Sequence, residues 1–266
     1  LRIALAALLA LVLSTSALAQ RLVINANTSD PAPRAAWQAA VDRFAAENPN
    51  LQVEFNVFDH ESYKRSIRNW LTSASPDVVF WFAGNRMRQF VTPNLLLDVS
   101  DLYDADTRAQ FAPQTLDLVS VDGRQYGVPY AFYQVGFYFR RDLLERAGAK
   151  EPSNWEELIA LCEKLKVTGV DAFALGTKEP WPAAAWFDYI NLRLNGRDFH
   201  LALTGGMVEF TDARVRAVFD RWRELVDRSC FARNHATMTW QEAQALIYRG
   251  RAAMMLIGNY IVPHFP

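Results

Sequence analysis

Only two cysteines, four histidines and no run of twenty apolar residues occur in the 266-residue chain, and its charges nearly cancel, 28 basic against 29 acidic. A disulfide-stapled mini-domain is therefore excluded, and so is a membrane-spanning helix, which needs about 20 consecutive apolar residues. The near-neutral balance gives no footprint for nucleic acid or an anionic membrane. The zinc-protease, serine-hydrolase, phosphate-loop and dinucleotide glycine motifs are also missing. His60, His200, His235 and His264 are scattered, none with a Cys or His at ligand spacing, so neither a metal nor a cofactor is expected. Asp188 and Glu179 remain as a conceivable acid/base pair for glycoside hydrolysis.

At the start, Arg2, the apolar run Ile3 to Leu13 and Ala17-Leu18-Ala19 have the order of a secretory signal peptide over 1–19. Export to the periplasm follows, with mature protein near Gln20 and a net charge of −2 once Arg2 is removed (27 basic, 29 acidic). That compartment permits a bridge between Cys162 and Cys230, but each sits in or near a predicted helix without framework spacing. Two buried thiols are the expectation.

The mature sequence alternates strand and helix patterns, which argues for βαβ units and an α/β fold. Strands are predicted at Leu22 to Ala26, Leu51 to Phe58 and Asp77 to Phe82, the last a continuous apolar run expected to be buried on both faces. Helices are predicted at Arg34 to Glu47 and Tyr63 to Leu71. Asp122-Gly123 marks a tight turn, and Tyr130 to Phe139 reads as a long aromatic-rich strand. Ser153 with Glu156 and Thr239 with Glu242 form capping boxes. Further helices are predicted at Trp186 to Leu194 and Asp212 to Val226, and Ala252 to Ile257 as a buried strand. Two lobes are expected, 20–128 and 129–266. The chain stops soon after a buried strand without a closing helix, which suggests a fragment.

Aromatic residues fall just past predicted strand ends: Trp81 and Phe82, then Trp181 and Trp186, then Tyr260. Ligands of open α/β sheets bind beyond the carboxyl ends of strands. A pyranose has an apolar C–H face that packs on a ring and hydroxyls that need directional partners, so Trp and Tyr beside Asn and Asp suit a sugar.

Four segments carry a resemblance. They are Pro76-Asp-Val-Val-Phe-Trp-Phe-Ala-Gly-Asn-Arg, the run from Asp122-Gly-Arg-Gln-Tyr-Gly-Val-Pro-Tyr to Tyr138-Phe-Arg-Arg-Asp-Leu-Leu-Glu-Arg-Ala-Gly, Ser153-Asn-Trp-Glu-Glu-Leu, and Arg249-Gly-Arg-Ala-Ala-Met-Met-Leu-Ile-Gly-Asn-Tyr. In this order they resemble the periplasmic solute-binding proteins of sugar ABC transporters, the maltose-binding-protein type (extracellular solute-binding family 1). The resemblance implies a two-lobed periplasmic-binding-protein fold (type II) lacking its C-terminal part. It further implies a monomer without catalysis that binds a mono- or oligosaccharide in an interlobe cleft and delivers it to ABC permease subunits of the inner membrane.

Position by position, the resemblance places ligand contacts at Thr28 and Asp30 in the first loop, Trp81, Asn85 and Arg86 after the third strand, Tyr133 on a crossover strand, Trp181 and Tyr260; Asn259, next to Tyr260, is a further candidate. Trp186 and Asp188 are added from the Trp-rich segment itself. Tyr133 stands where the family carries a carboxylate, and the first loop departs from the maltose binder, both of which weigh against maltodextrins. A secreted glycoside hydrolase and a binder of a non-sugar solute are the alternatives.

Overall fold

The computed structural model describes residues 20–265, so the signal segment read over 1–19 lies outside the described residues. The chain divides into two compact units, the first ending at Pro129 and the second starting at Tyr130.

In the first unit β1 (Gln20–Ala26), α1 (Pro31–Glu47), β2 (Leu51–Val57), α2 (His60–Ser73), β3 (Val78–Val79) and α3 (Asn85–Val91) follow one another. The sheet has the order β2-β1-β3 and is parallel throughout. α2 forms because Tyr63, Ile67 and Leu71 recur every fourth residue and are buried on one face. Its start is fixed by Asp59, whose carboxylate accepts the Ser62 N–H at 2.9 Å.

The third strand departs from expectation. Only Val78–Val79 pair with β1, and Val78 is 42% exposed, so β3 is an edge rather than a strand buried on both faces. The ladder ends where the Phe80 N–H is shared between Asn25 O (3.1 Å) and the Tyr63 hydroxyl (2.9 Å), which turns the chain out of the sheet. Two short helices, α4 (Ala105–Ala109) and α5 (Pro113–Leu118), then lead to a hairpin of β4 (Ser120–Val121) and β5 (Arg124–Gln125). Its turn residues Asp122 and Gly123 both take positive φ, as a two-residue hairpin requires.

The second unit contains β6 (Val135–Phe139), α6 (Arg141–Arg146), α7 (Trp155–Val167), β7 (Asp171–Phe173), α8 (Trp181–Thr204), α9 (Ala213–Asp227), α10 (Trp240–Tyr248) and β8 (Ala252–Gly258). Its sheet runs β6-β8-β7, with β6 antiparallel and β7 parallel to β8. All seven residues of the central β8 are buried. The aromatic run from Tyr130 is strand only from Val135, for Tyr130, Phe132 and Tyr133 are more than half exposed.

The first capping box is displaced by one residue. Asn154 is the cap and accepts the Glu157 N–H at 2.9 Å, while the Glu157 carboxylate takes the Ser153 N–H at 2.8 Å. The second, Thr239 with Glu242, is present. α8 starts five residues before the predicted Trp186 and runs past Leu194, broken at Gly196, where φ is 80°.

Cys162 and Cys230 are not free thiols but a disulfide, Cα atoms 5.6 Å apart. It ties α7 to the segment after α9, where Cys230 O accepts the Phe173 N–H and the Ala232 N–H returns to Phe173 O. Helix periodicity could not reveal this, because the pairing depends on β7 drawing the two segments together.

Candidate functional site

In the second unit the sheet delivers aromatic rings to the carboxyl end of β8. A side chain on Gly258 would put its Cβ 2.2 Å from the Tyr260 ring, so glycine there lets Tyr260 fold back over the strand end. Tyr260 meets Tyr133 (centroids 5.3 Å, interplanar 88°), Trp240 (5.6 Å, 81°) and Trp181 (6.4 Å, 64°). Trp181 and Trp240 are themselves 6.4 Å apart. Trp240 is buried and acts as the floor, Trp181 and Tyr260 are half-buried, and Tyr133 is exposed. Burial pushes the Tyr260 phenol well above its usual range, so it stays a neutral hydroxyl. Steeply tilted rings with partly open faces form an apolar corner with phenol hydroxyls on it.

Three of the rings singled out in the sequence, Tyr133, Trp181 and Tyr260, are thus brought together, with Asn259 exposed beside them. The sequence reading missed Trp240, although its position directly after the capping Thr239 was visible.

Trp186 is a correction. It is 1% exposed and packs against Phe173 (4.9 Å), Phe231 (5.1 Å) and Phe137 (5.5 Å), so no face is left for a ligand. Asp188 lies seven residues beyond Trp181 on α8, on the same stripe but about 10 Å along the axis. Its side chain is exposed, yet neighbouring atoms desolvate the carboxyl enough to raise its pKa, with His200 the opposing charge.

In the first unit, Trp81 follows β3. Its Nε1–H donates to Arg86 O at 2.8 Å, and its ring stacks on Tyr63 (6.3 Å, 27°). The Arg86 guanidinium lies 4.0 Å from the Phe82 centroid and 5.2 Å from that of Trp81. Asn85 is exposed at the first position of α3; Thr28 is buried, and Asp30 is half-buried at the N-cap of α1. Structure adds His60, the first residue of α2, edge-on to Phe82 at 5.7 Å and 88°. Burial lowers its pKa most, then Lys64 and more weakly Arg86, against the raising influence of Glu61 and Asp30. Phe82 thus contacts both a guanidinium and an imidazole.

Among the described residues no group of three or more His, Cys, Asp or Glu converges as a metal site would require. What both aromatic clusters offer is stacking surface and hydrogen-bonding groups.

The family model for bacterial extracellular solute-binding proteins matches residues 28–263. The chain belongs to that family. An ABC transporter extracellular-binding protein of Pyrococcus horikoshii, itself uncharacterized, is 26% identical over 238 residues, covering 86% of this chain and 53% of its own. A probable sugar-binding periplasmic protein of Rhizobium meliloti is 31% identical over 150 residues, 54% of this chain and 34% of its own. Among solved structures, the solute receptor AcbH, with an exclusive preference for β-D-galactopyranose, is 31% identical at a TM-score of 0.81, covering 90% of this chain and 61% of its own. A structure described with xylan utilization by Caldanaerobius polysaccharolyticus is 26% identical at a TM-score of 0.85, covering 90% and 62%. These likenesses bear out the family 1 solute-binding resemblance and the α/β class. The family member described here spans about half the length of the Pyrococcus relative.

Proposed function

We propose that this chain is the substrate-capturing part of an ABC importer, binding a carbohydrate reversibly and without catalysis. In this reading it is exported by the 1–19 segment, works in the periplasm as a monomer, and passes its ligand to permease subunits in the inner membrane.

The observation that carries the reading is the ring corner of Tyr133, Trp181, Trp240 and Tyr260 at the end of β8. Pyranose C–H faces gain from such surfaces what core side chains gain from aromatic neighbours. The exposed Asn259 adds an amide for directional bonds to hydroxyls. Support also comes from the galactose preference of AcbH and from the sugar-binding Rhizobium relative. Within the first unit, Thr28, Asp30, Trp81, Asn85 and Arg86 are proposed as ligand contacts.

Titration with a panel of mono- and oligosaccharides, read by tryptophan fluorescence, tests this directly. A saturable response to a sugar is expected; a response confined to amino acids, polyamines or metals would reject it. One observation favours the second reading, a glycosidase: the raised pKa of Asp188. Turnover of aryl glycosides that disappears in Asp188→Asn would establish that reading, and absence of turnover is expected.

A further inference from the structure

We infer that His60 is a ligand-reading residue of the first unit, hydrogen-bonding sugar hydroxyls as a neutral imidazole and thereby making capture weaken in acid. This deepens the proposed function and rests on it.

Asp59 caps α2 and so fixes His60 as its first residue, the side chain half-buried and edge-on to Phe82. Phe82 also carries the Arg86 guanidinium at 4.0 Å, and Arg86 is tied to Trp81 through its own carbonyl. His60 and the proposed contact Arg86 therefore meet the same ring, Phe82, which itself packs against Trp81 at 5.3 Å.

Chemistry then separates His60 from its neighbours. Arg86 can only donate hydrogen bonds and an ionised Asp30 can only accept them. A neutral imidazole does one of each, as a sugar hydroxyl does. The charged groups around it are Glu61 and Lys64 on α2, paired at 2.7 Å, Arg86 from α3 and Asp30 from the first loop: two anions and two cations. A proton on His60 makes a third cation in a half-buried place and removes its acceptor.

The sign follows. Burial, with Lys64 next, holds the His60 pKa below its ordinary 6.5. Above 6.5 the imidazole is neutral and the contact complete; as pH falls through the lowered value, the acceptor is lost and affinity with it.

D-galactose and xylotriose serve as probes, titrated from pH 8 to pH 4.5 against wild type and His60→Gln, whose amide keeps a donor and an acceptor but does not titrate. Expected is a loss of roughly fivefold or more in wild-type affinity across that range, about what one neutral hydrogen bond contributes, and a flat profile in the variant. A flat wild-type profile, or the same acid loss in His60→Gln, would overturn the inference while leaving sugar capture standing. No binding of either sugar at pH 8 would sink the inference and count against the proposed function itself. If His60→Gln fails to fold, wild-type imidazole NMR decides, with His60 assigned by eliminating His200, His235 and His264. Its resonance must move when the bound sugar is added, and an unmoved resonance overturns the assignment.

Discussion

Trp181 and Trp186 are five residues apart on one helix, and they have opposite fates. Five residues turn an α-helix through about 500°, leaving the two rings about 140° apart around its axis. One therefore joins the ring corner, and the other enters the core. From sequence the helix begins only at Trp186, so Trp181, placed by the resemblance, and Trp186, taken from the Trp-rich segment, both stand as expected ligand contacts. Once the structure sets the start at Trp181, with Pro182 in the first turn, helix periodicity separates the two rings. Opposite outcomes follow on truncation. Trp186→Ala should lower stability by about 3–5 kcal/mol, seen as a fall in melting temperature. Trp181→Ala and Tyr260→Ala, at half-buried rings, should cost clearly less stability than Trp186→Ala and weaken sugar binding by about 1–3 kcal/mol, measured by fluorescence or calorimetric titration. Gly258→Ala tests the same corner through the backbone: its methyl collides with the Tyr260 ring. Its affinity should fall toward that of Tyr260→Ala.

Among elements, those with a strong local signal were legible. The recurrence of Tyr63, Ile67 and Leu71 at every fourth position marks α2, the apolar run at Ala252 marks β8, and Asp122-Gly123 marks the hairpin. The pairing of Cys162 with Cys230 was not, since it joins the middle of α7 to a segment 68 residues away. Closing a loop of that size restricts the unfolded chain by about 4 kcal/mol in the chain-entropy account. Replacing both cysteines by serine should lower unfolding free energy by that order in urea titrations, with the wild type under reductant approaching the variant. The start of α9 has its own sensitivity. Asp212 caps it by accepting the Arg214 N–H at 2.8 Å and pairs with the Arg214 guanidinium, which holds its pKa at about 2, against an ordinary 3.8. A carboxyl depressed on folding contributes stability above its unfolded value, and that contribution is lost as pH falls toward 2. Asp212→Asn should therefore flatten stability between pH 4 and pH 2 relative to wild type, by thermal melts at each pH.

For the molecule as a whole, the family was legible from four short segments, whereas the assignment of contacts within it needed coordinates. Motifs such as Asp122 to Tyr130 and Arg249 to Tyr260 fix where backbone turns; they do not say which ring remains open, because that depends on helix phase and on partners such as Trp240 from distant sequence. His60 shows the same limit: 22 residues separate it from Phe82, and only folding makes them neighbours. The proposed capture of a sugar also has a consequence for the whole folded chain. A sugar that binds the native state and not the unfolded chain stabilises it by RT ln(1 + [L]/Kd), about 2.7 kcal/mol at a hundredfold excess over Kd. A domain of 150–250 residues gains roughly 2–4 °C in melting temperature for each kcal/mol. A saturating cognate sugar should accordingly raise the midpoint by about 5–10 °C, and the rise should grow with the logarithm of sugar concentration. Trp181→Ala should need a proportionately higher concentration for the same rise, since its loss is in affinity. If the melting point of Trp181→Ala follows that of wild type at every sugar concentration, the ring corner is not where the ligand sits.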